Sequence, residues 1–206
     1  MGQQTTMSRQ RRVMTMLALL DESAPETVQG VHYVISTVVI VDDQELAPVR
    51  ASVSAVTADR PKHPVFHWSS EGVEKREKMI DQVCSFCDGI YTVIHHPVKP
   101  KQQVAARRAG LRVLLEILAD NGIATLWIES RGAQDQADRQ VILDAQRDGA
   151  LPAQFSYSFR TKSESLLWLP DAAAGAQSDA ETGKGDQYAL RLQSGVAEGD
   201  VRRLNP

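Results

Sequence analysis

The feature that most constrains the fold is a set of strongly apolar segments separated by stretches with helical spacing. Residues 32–41, HYVISTVVIV, are rich in β-branched side chains and predict a buried strand. Similar segments occupy residues 13–20, 89–98 and 123–130. Between the last two, residues 102–122 carry leucines at the spacing of one buried helical face. Because strands and helices alternate, the sequence predicts one α/β domain around a mixed sheet.

Changes in composition set the expected domain boundaries. Residues 1–12 are polar and predict a flexible leader, and residues 13–178 form the predicted domain. Residues 179–206 predict a polar C-terminal tail, partly docked or disordered. Within this tail, TGKGD at residues 182–186 lacks the spacing of a nucleotide-binding loop and a preceding strand. The sequence therefore indicates no such loop.

The apolar segment after the leader has some features of a signal peptide. It is short, however, and it leads directly into two acids without a small-residue cleavage site. With no export signal and only two cysteines, the sequence predicts a cytoplasmic protein. No apolar run is long enough to span a membrane, so we expect no membrane partner. Nothing in the sequence indicates an oligomeric state.

Carboxylates lie at the ends of three of the apolar segments. Asp21 and Glu22 follow the first, Glu129 closes the fourth, and Asp171 follows a later apolar run. Functional groups of α/β sheets gather at strand ends, so these acids can meet. Carboxylates that meet need a cation between them, and hard oxygen ligands suit Mg²⁺ or Mn²⁺. Two such ions can activate water against a phosphodiester.

Structural roles also explain the same acids. Asp21 can cap a loop, Glu129 can be a solvated strand end, and Asp171 can be a helix N-cap. On the residues alone, these structural roles are favoured over a metal site.

The stretches that carry the acids resemble a prokaryotic family known as domain of unknown function 3800. LALLDES at residues 17–23, followed by a valine-rich strand, is similar to the opening of that family. LLWLPDAAAGA at residues 166–176 is similar to its late motif through Asp171, Ala174 and Gly175. The segment around His67 and the acid Glu129 are also similar. The resemblance covers roughly residues 14–180.

This resemblance implies an RNase H-like mixed sheet flanked by helices, and a metal-dependent nuclease that acts on DNA or RNA. It makes Asp21, Glu129 and Asp171 the candidate catalytic residues and ligands of Mg²⁺ or Mn²⁺, with Glu22 as an accessory ligand. We expect His67 to assist with substrate or proton transfer, although a structural histidine is the simpler explanation.

The chain also departs from the family pattern. Ala24 replaces the usual glycine, Glu129 stands where aspartate is common, and Pro170 replaces an alanine. These departures leave room for a member that keeps the fold without the chemistry. The alternative function is therefore a catalytically inactive RNase H-like module for binding or assembly.

Basic residues are concentrated where the longest predicted helix begins. Lys99, Lys101, Arg107 and Arg108 are candidates for contacts with substrate phosphates, although a solvated helix end is the commoner explanation. The net charge of −3 indicates no basic field over the whole protein.

The CSFC segment, Cys84 to Cys87, precedes two histidines, His95 and His96. Zinc or a redox pair can use such a pattern. The spacing of three residues on a helix favours two buried thiols instead, and adjacent histidines on a strand point to opposite faces.

Overall fold

A single mixed sheet organises the chain. The structure is a computed structural model that describes residues 16–41, 46–60, 62 and 64–204. Within these residues the strands are β1 Met16–Ser23, β2 Glu26–Thr27, β3 Gly30–Val41, β4 Gly89–Val98, β5 Thr125–Glu129, β6 Ser156–Arg160 and β7 Glu198–Leu204. The α-helices are α1 Leu46–Ala55, α2 Val73–Phe86, α3 Gln103–Asp120, α4 Asp135–Arg147, α5 Trp168–Glu181 and α6 Gln187–Gly195.

The strand order identifies the fold. The sheet runs β6-β5-β1-β3-β4-β7, with β2 paired to β3. Strands β1, β3 and β4 form an antiparallel meander. Strand β5 is parallel to β1, and β6 is parallel to β5. An antiparallel meander extended beside its first strand by two parallel strands is the RNase H-like arrangement. The expected fold class, a mixed α/β sheet flanked by helices, is confirmed.

Both faces of the central strands are covered by helices. On β1, Leu17 and Leu19 belong to the core that includes α1, α2, α5 and α6. Their neighbours Ala18 and Leu20 belong to the core under α3 and α4. A strand covered on both faces is apolar at every position, which explains the continuous apolar runs of the sequence. The alternation also means that Asp21 faces α5, whereas Glu22 faces α3.

Helix α5 lies close to the sheet because its buried side chains are small. Ala172, Ala173 and Ala176 are buried in the core against the sheet. Gly175 packs on Trp68, where an added Cβ would lie 2.2 Å from the indole Cγ. This close packing fixes the position of the first turn of α5, which carries Asp171.

The C-terminal segment contributes to the sheet. Helix α5 continues to Glu181, and residues 187–204 of the expected polar tail form α6 and β7. Strand β7 pairs in parallel with β4 at the edge of the sheet. The predicted leader, residues 1–12, lies outside the described residues. In the described ranges, no helix combines the length and apolar character that crossing a membrane requires.

Candidate active site

Three separate elements bring the predicted acids to one place. Asp21 lies near the end of β1, and Glu129 is the last residue of the neighbouring parallel strand β5. Asp171 lies in the first turn of α5, the helix that packs on the face of β1 to which Asp21 points. The register of the two strands pairs Leu20 with Ile128, so Asp21 and Glu129 end side by side.

The ammonium of Lys162 lies at the centre of these acids. Its Nζ is 3.0 Å from Asp21 Oδ2, 3.1 Å from Glu129 Oε2 and 3.3 Å from Asp171 Oδ1. Because all three oxygens contact one nitrogen, the distance between any two of them cannot exceed the sum of their distances to Nζ. The Asp21 side chain is 3% exposed, and those of Glu129, Asp171 and Lys162 are 14–18% exposed. The cluster is thus mostly buried but reaches solvent at one side.

Burial and charge shift the proton affinities in this cluster. Burial raises the pKa of Asp21 well above its ordinary value, against the opposing charge of Lys162. Burial likewise raises the pKa of Asp171, although Lys162, the Trp68 N–H and the charge of His67 act to lower it. For Glu129, burial is outweighed by a hydrogen bond with Asp21 and by Lys162, so its pKa is lowered. Burial therefore favours the protonated forms of Asp21 and Asp171.

The pKa of Lys162 moves in the opposite sense to that of a buried lysine without a partner. Burial alone would lower it, but the charges of Asp21, Asp171 and Glu129 raise it above its ordinary value. Lys162 therefore stays protonated at neutral pH.

Glu22 does not belong to the cluster, which corrects its prediction as an accessory metal ligand. It points to the opposite face of β1, where its carboxylate forms ion pairs with Arg107 and Arg131. Arg107 also binds Asp138, with Nη2 2.6 Å from Oδ2. The Arg107 side chain is 5% exposed, so it is a buried counter-charge and cannot contact substrate phosphates as predicted.

The other predicted basic residues remain on the surface. Lys99, Lys101 and Arg108 are exposed around the start of α3, and no feature of the site tests their predicted contact with phosphates. His67 is exposed and precedes Trp68, whose backbone N–H donates to Asp171 Oδ2 at 2.9 Å. His67 therefore lies beside the cluster at its solvent side.

The cysteines are free thiols. Cys87 is buried, Cys84 is half-buried, and burial raises the pKa of both. His96 stacks on His32, with ring centroids 3.5 Å apart. In the described part of the chain, no set of three or more His, Cys, Asp or Glu side chains is arranged to hold a metal ion.

The three carboxylates suit a divalent ion in chemistry but not in their present spacing. Mg²⁺ prefers oxygen ligands at about 2.0–2.1 Å. The oxygens lie 3.0–3.3 Å from a shared nitrogen, which is the spacing of ammonium hydrogen bonds. The position between the acids is taken by Lys162. A divalent ion therefore fits these ligands only after the ammonium has moved away.

Comparison with solved structures finds similarity at low sequence identity. One such structure is RNase HII from Archaeoglobus fulgidus, in its complex with PCNA, with a TM-score of 0.49 and 14% identity. The similarity covers 87% of this chain and 77% of that one. No protein-family model and no curated protein matches the chain. The RNase H-like assignment rests on the strand order given above.

Proposed function

We propose that this chain is a divalent-metal-dependent phosphodiester hydrolase, a nuclease of RNase H-like type that acts on DNA or RNA. One observation carries the proposal: β1, β5 and α5 direct three carboxylates to one cation position. Burying like charges together is unfavourable, and buried clusters of titratable groups are concentrated at functional sites. The resemblance to the domain of unknown function 3800 supports the same choice of residues.

In this proposal, Asp21, Glu129 and Asp171 hold Mg²⁺ or Mn²⁺. The bound ion would supply water activation and stabilisation of the leaving oxygen. Lys162 has a long, flexible side chain, so its ammonium can leave the centre while its backbone stays fixed. Trp168 Nε1 donates to the Lys162 carbonyl oxygen at 2.9 Å, which holds that backbone in place. The displaced ammonium would then neutralise charge on the substrate phosphate.

His67 has a supporting part at the exposed side of the cluster. It lies close enough to Asp171 for its charge to lower the pKa of that carboxyl. From there its imidazole can exchange protons with solvent or with a leaving group.

A second function is favoured by Lys162 itself. Its ammonium satisfies all three acids without any metal, so the cluster can act as an internal ion network that ties β5 and α5 to β1. In that case the chain is a catalytically inactive RNase H-like module for binding or assembly.

A cleavage assay separates these two functions. The purified chain is incubated with Mn²⁺ or Mg²⁺ and single- and double-stranded DNA and RNA. We expect metal-dependent cleavage that falls by roughly 100-fold or more in Asp171→Asn and Asp21→Asn. Asp144→Asn is the matched control, because Asp144 pairs with Arg147 on the outer face of α4. Folded protein that cuts none of these substrates, or an Asp171→Asn variant with full activity, would refute the nuclease proposal.

A further inference from the structure

A cavity lies near the carboxylate cluster, although none of the four side chains of the cluster lines it. It has a volume of about 370 Å³, and its lining includes Trp68, Gly175, Ser178 and the loop before α6. Two contacts connect it to the cluster. The Trp68 backbone N–H donates to Asp171, and Gly175 is one helical turn beyond Asp171 on α5. A strand that crosses the cluster would therefore pass this cavity.

Two cationic side chains and one carboxylate, that of Asp179, line the cavity, so the charge of its lining is net positive. Arg76 and Lys184 line it, with side chains 23% and 65% exposed. Gln187 and Tyr188 also line it, at the N-terminus of α6, where the first backbone N–H groups have no partner within the helix. Such an end favours anions.

A buried hydroxyl also belongs to this cavity. Ser178 is 3% exposed and lines the cavity, and its Oγ has no hydrogen-bond partner among the described residues. A buried polar group without a partner is unfavourable unless a ligand or water satisfies it. A polar ligand or a water in this cavity would supply the missing partner.

The loop before α6 has the backbone that close approach to an anion requires. Gly183 and Gly185 flank Lys184 and have φ values of 73° and 135°, a region that favours glycine. These are the glycines of the TGKGD segment. The loop therefore presents its lysine without a bulky neighbour on either side.

The charge already present leaves Lys184 available. Asp179 accepts from Trp68 Nε1 at 2.8 Å and from Arg76 at 3.3 Å. Its contact with Lys184 is longer, 3.9 Å. With two closer donors on this carboxylate, Lys184 can turn to a ligand at little cost.

We propose that this cavity is a phosphate-binding subsite, which holds a backbone phosphate of the nucleic acid next to the one at the cluster. A base is a poorer fit, because the Trp68 ring is covered by Gly175 on one side and lies 4.8 Å from the Arg76 guanidinium. The Tyr188 ring meets Trp68 edge-on and is itself buried. The identification of the strand rests on the proposed nuclease function, whereas the binding of phosphate does not.

Oligonucleotide binding without metal tests this inference. Fluorescein-labelled 12-nucleotide DNA and RNA are titrated with the full chain in EDTA, and anisotropy is followed over a range of salt concentrations. We expect Lys184→Ala to weaken binding by about fivefold at low salt and to reduce the salt slope by about 0.7, the loss of one phosphate contact. Lys78→Ala is the matched control, because Lys78 is an exposed lysine paired with Glu74 on α2. It should bind like the wild-type chain.

The outcomes separate this inference from the proposed function. Oligonucleotide binding that depends on Lys184, in a chain that never cleaves, supports the subsite and refutes the nuclease. If only inorganic phosphate binds, raising the Tm of the wild-type chain but not of Lys184→Ala, the cavity binds free phosphate and no strand. Equal binding by Lys184→Ala and wild type overturns the subsite and leaves the nuclease standing. A wild-type chain that binds neither oligonucleotide nor inorganic phosphate also overturns it.

Discussion

Replacing Lys162 by methionine removes the cation from the centre of the acid cluster and keeps a side chain of similar length. At about 3 Å and an effective dielectric constant of about 20, each ion pair is worth roughly 5 kcal/mol before the cost of desolvation. Removing one partner of a buried pair typically costs about 3–5 kcal/mol. Because the Lys162 side chain is 14% exposed, we expect the free energy of unfolding to fall by about 3 kcal/mol, the lower end of that range. For a chain of this size that loss lowers the Tm by about 6–12 °C.

The same substitution should create a site for Mn²⁺. At a free Mn²⁺ concentration about 100 times its Kd, binding to the folded state restores about 2.7 kcal/mol, most of the stability that was lost. In the wild-type chain the ion must first displace the ammonium, so its Tm should rise less at the same concentration. Calorimetric titration with Mn²⁺ provides the affinity independently of stability.

Lys78→Met is the matched control, since its pair with Glu74 is exposed and its loss should change neither Tm nor Mn²⁺ binding measurably. The reasoning fails if Lys162→Met and the wild-type chain bind Mn²⁺ equally well. It also fails if the folded variant binds no Mn²⁺, since the three acids would then be unable to act as ligands.

Three further substitutions or measurements test the packing and the buried charges of the domain. Gly175→Ala should lower the free energy of unfolding by at least about 1–3 kcal/mol, because the new Cβ overlaps the Trp68 ring. Urea denaturation measures this loss, and Gly72→Ala is the control because a Cβ there meets nothing within 4 Å. Arg107→Met should cost about 3–5 kcal/mol by the same measurement, because it leaves two buried carboxylates short of a counter-charge, and a loss below about 1 kcal/mol would contradict the buried network. Since burial raises the pKa of Cys87, its thiol stays protonated at pH 8, and a thiol-specific disulfide reagent should detect at most one of the two cysteines before unfolding.

The sheet and two of the three acids follow from patterns that a sequence displays. The β-branched run of β3 and the leucine spacing of α3 indicate their structures directly. Asp21 and Glu129 meet because each ends a buried strand and those strands are parallel neighbours. Asp171 was grouped with them because it follows an apolar run, but that run begins a helix and not a strand, so the strand-end argument does not explain its position.

Lys162 left no comparable signal. It lies in the polar stretch between β6 and α5, without periodicity, and its contact with Asp21 joins residues 141 positions apart. Strand β7 was hidden for a related reason, because its residues are charged and mostly exposed at the edge of the sheet.

The position of Glu22 could have been predicted. Adjacent residues on a strand point to opposite faces, so Asp21 and Glu22 could not both face one metal site while β1 continued to Ser23. Asp21 and Glu22 were both expected after the end of the strand, whereas β1 extends past them to Ser23. One of the two partners of Glu22, Arg107, lies on α3, where the sequence indicates only a basic helix start.

The anomalous scattering of Mn²⁺ in crystals of the wild-type chain tests the shared cation position most directly. The account predicts one or two peaks bonded to the carboxylates of Asp21, Glu129 and Asp171 at about 2.0–2.2 Å, with the Lys162 ammonium moved out of the centre. A map at saturating Mn²⁺ with no peak there, and with Lys162 still between the three acids, would contradict it.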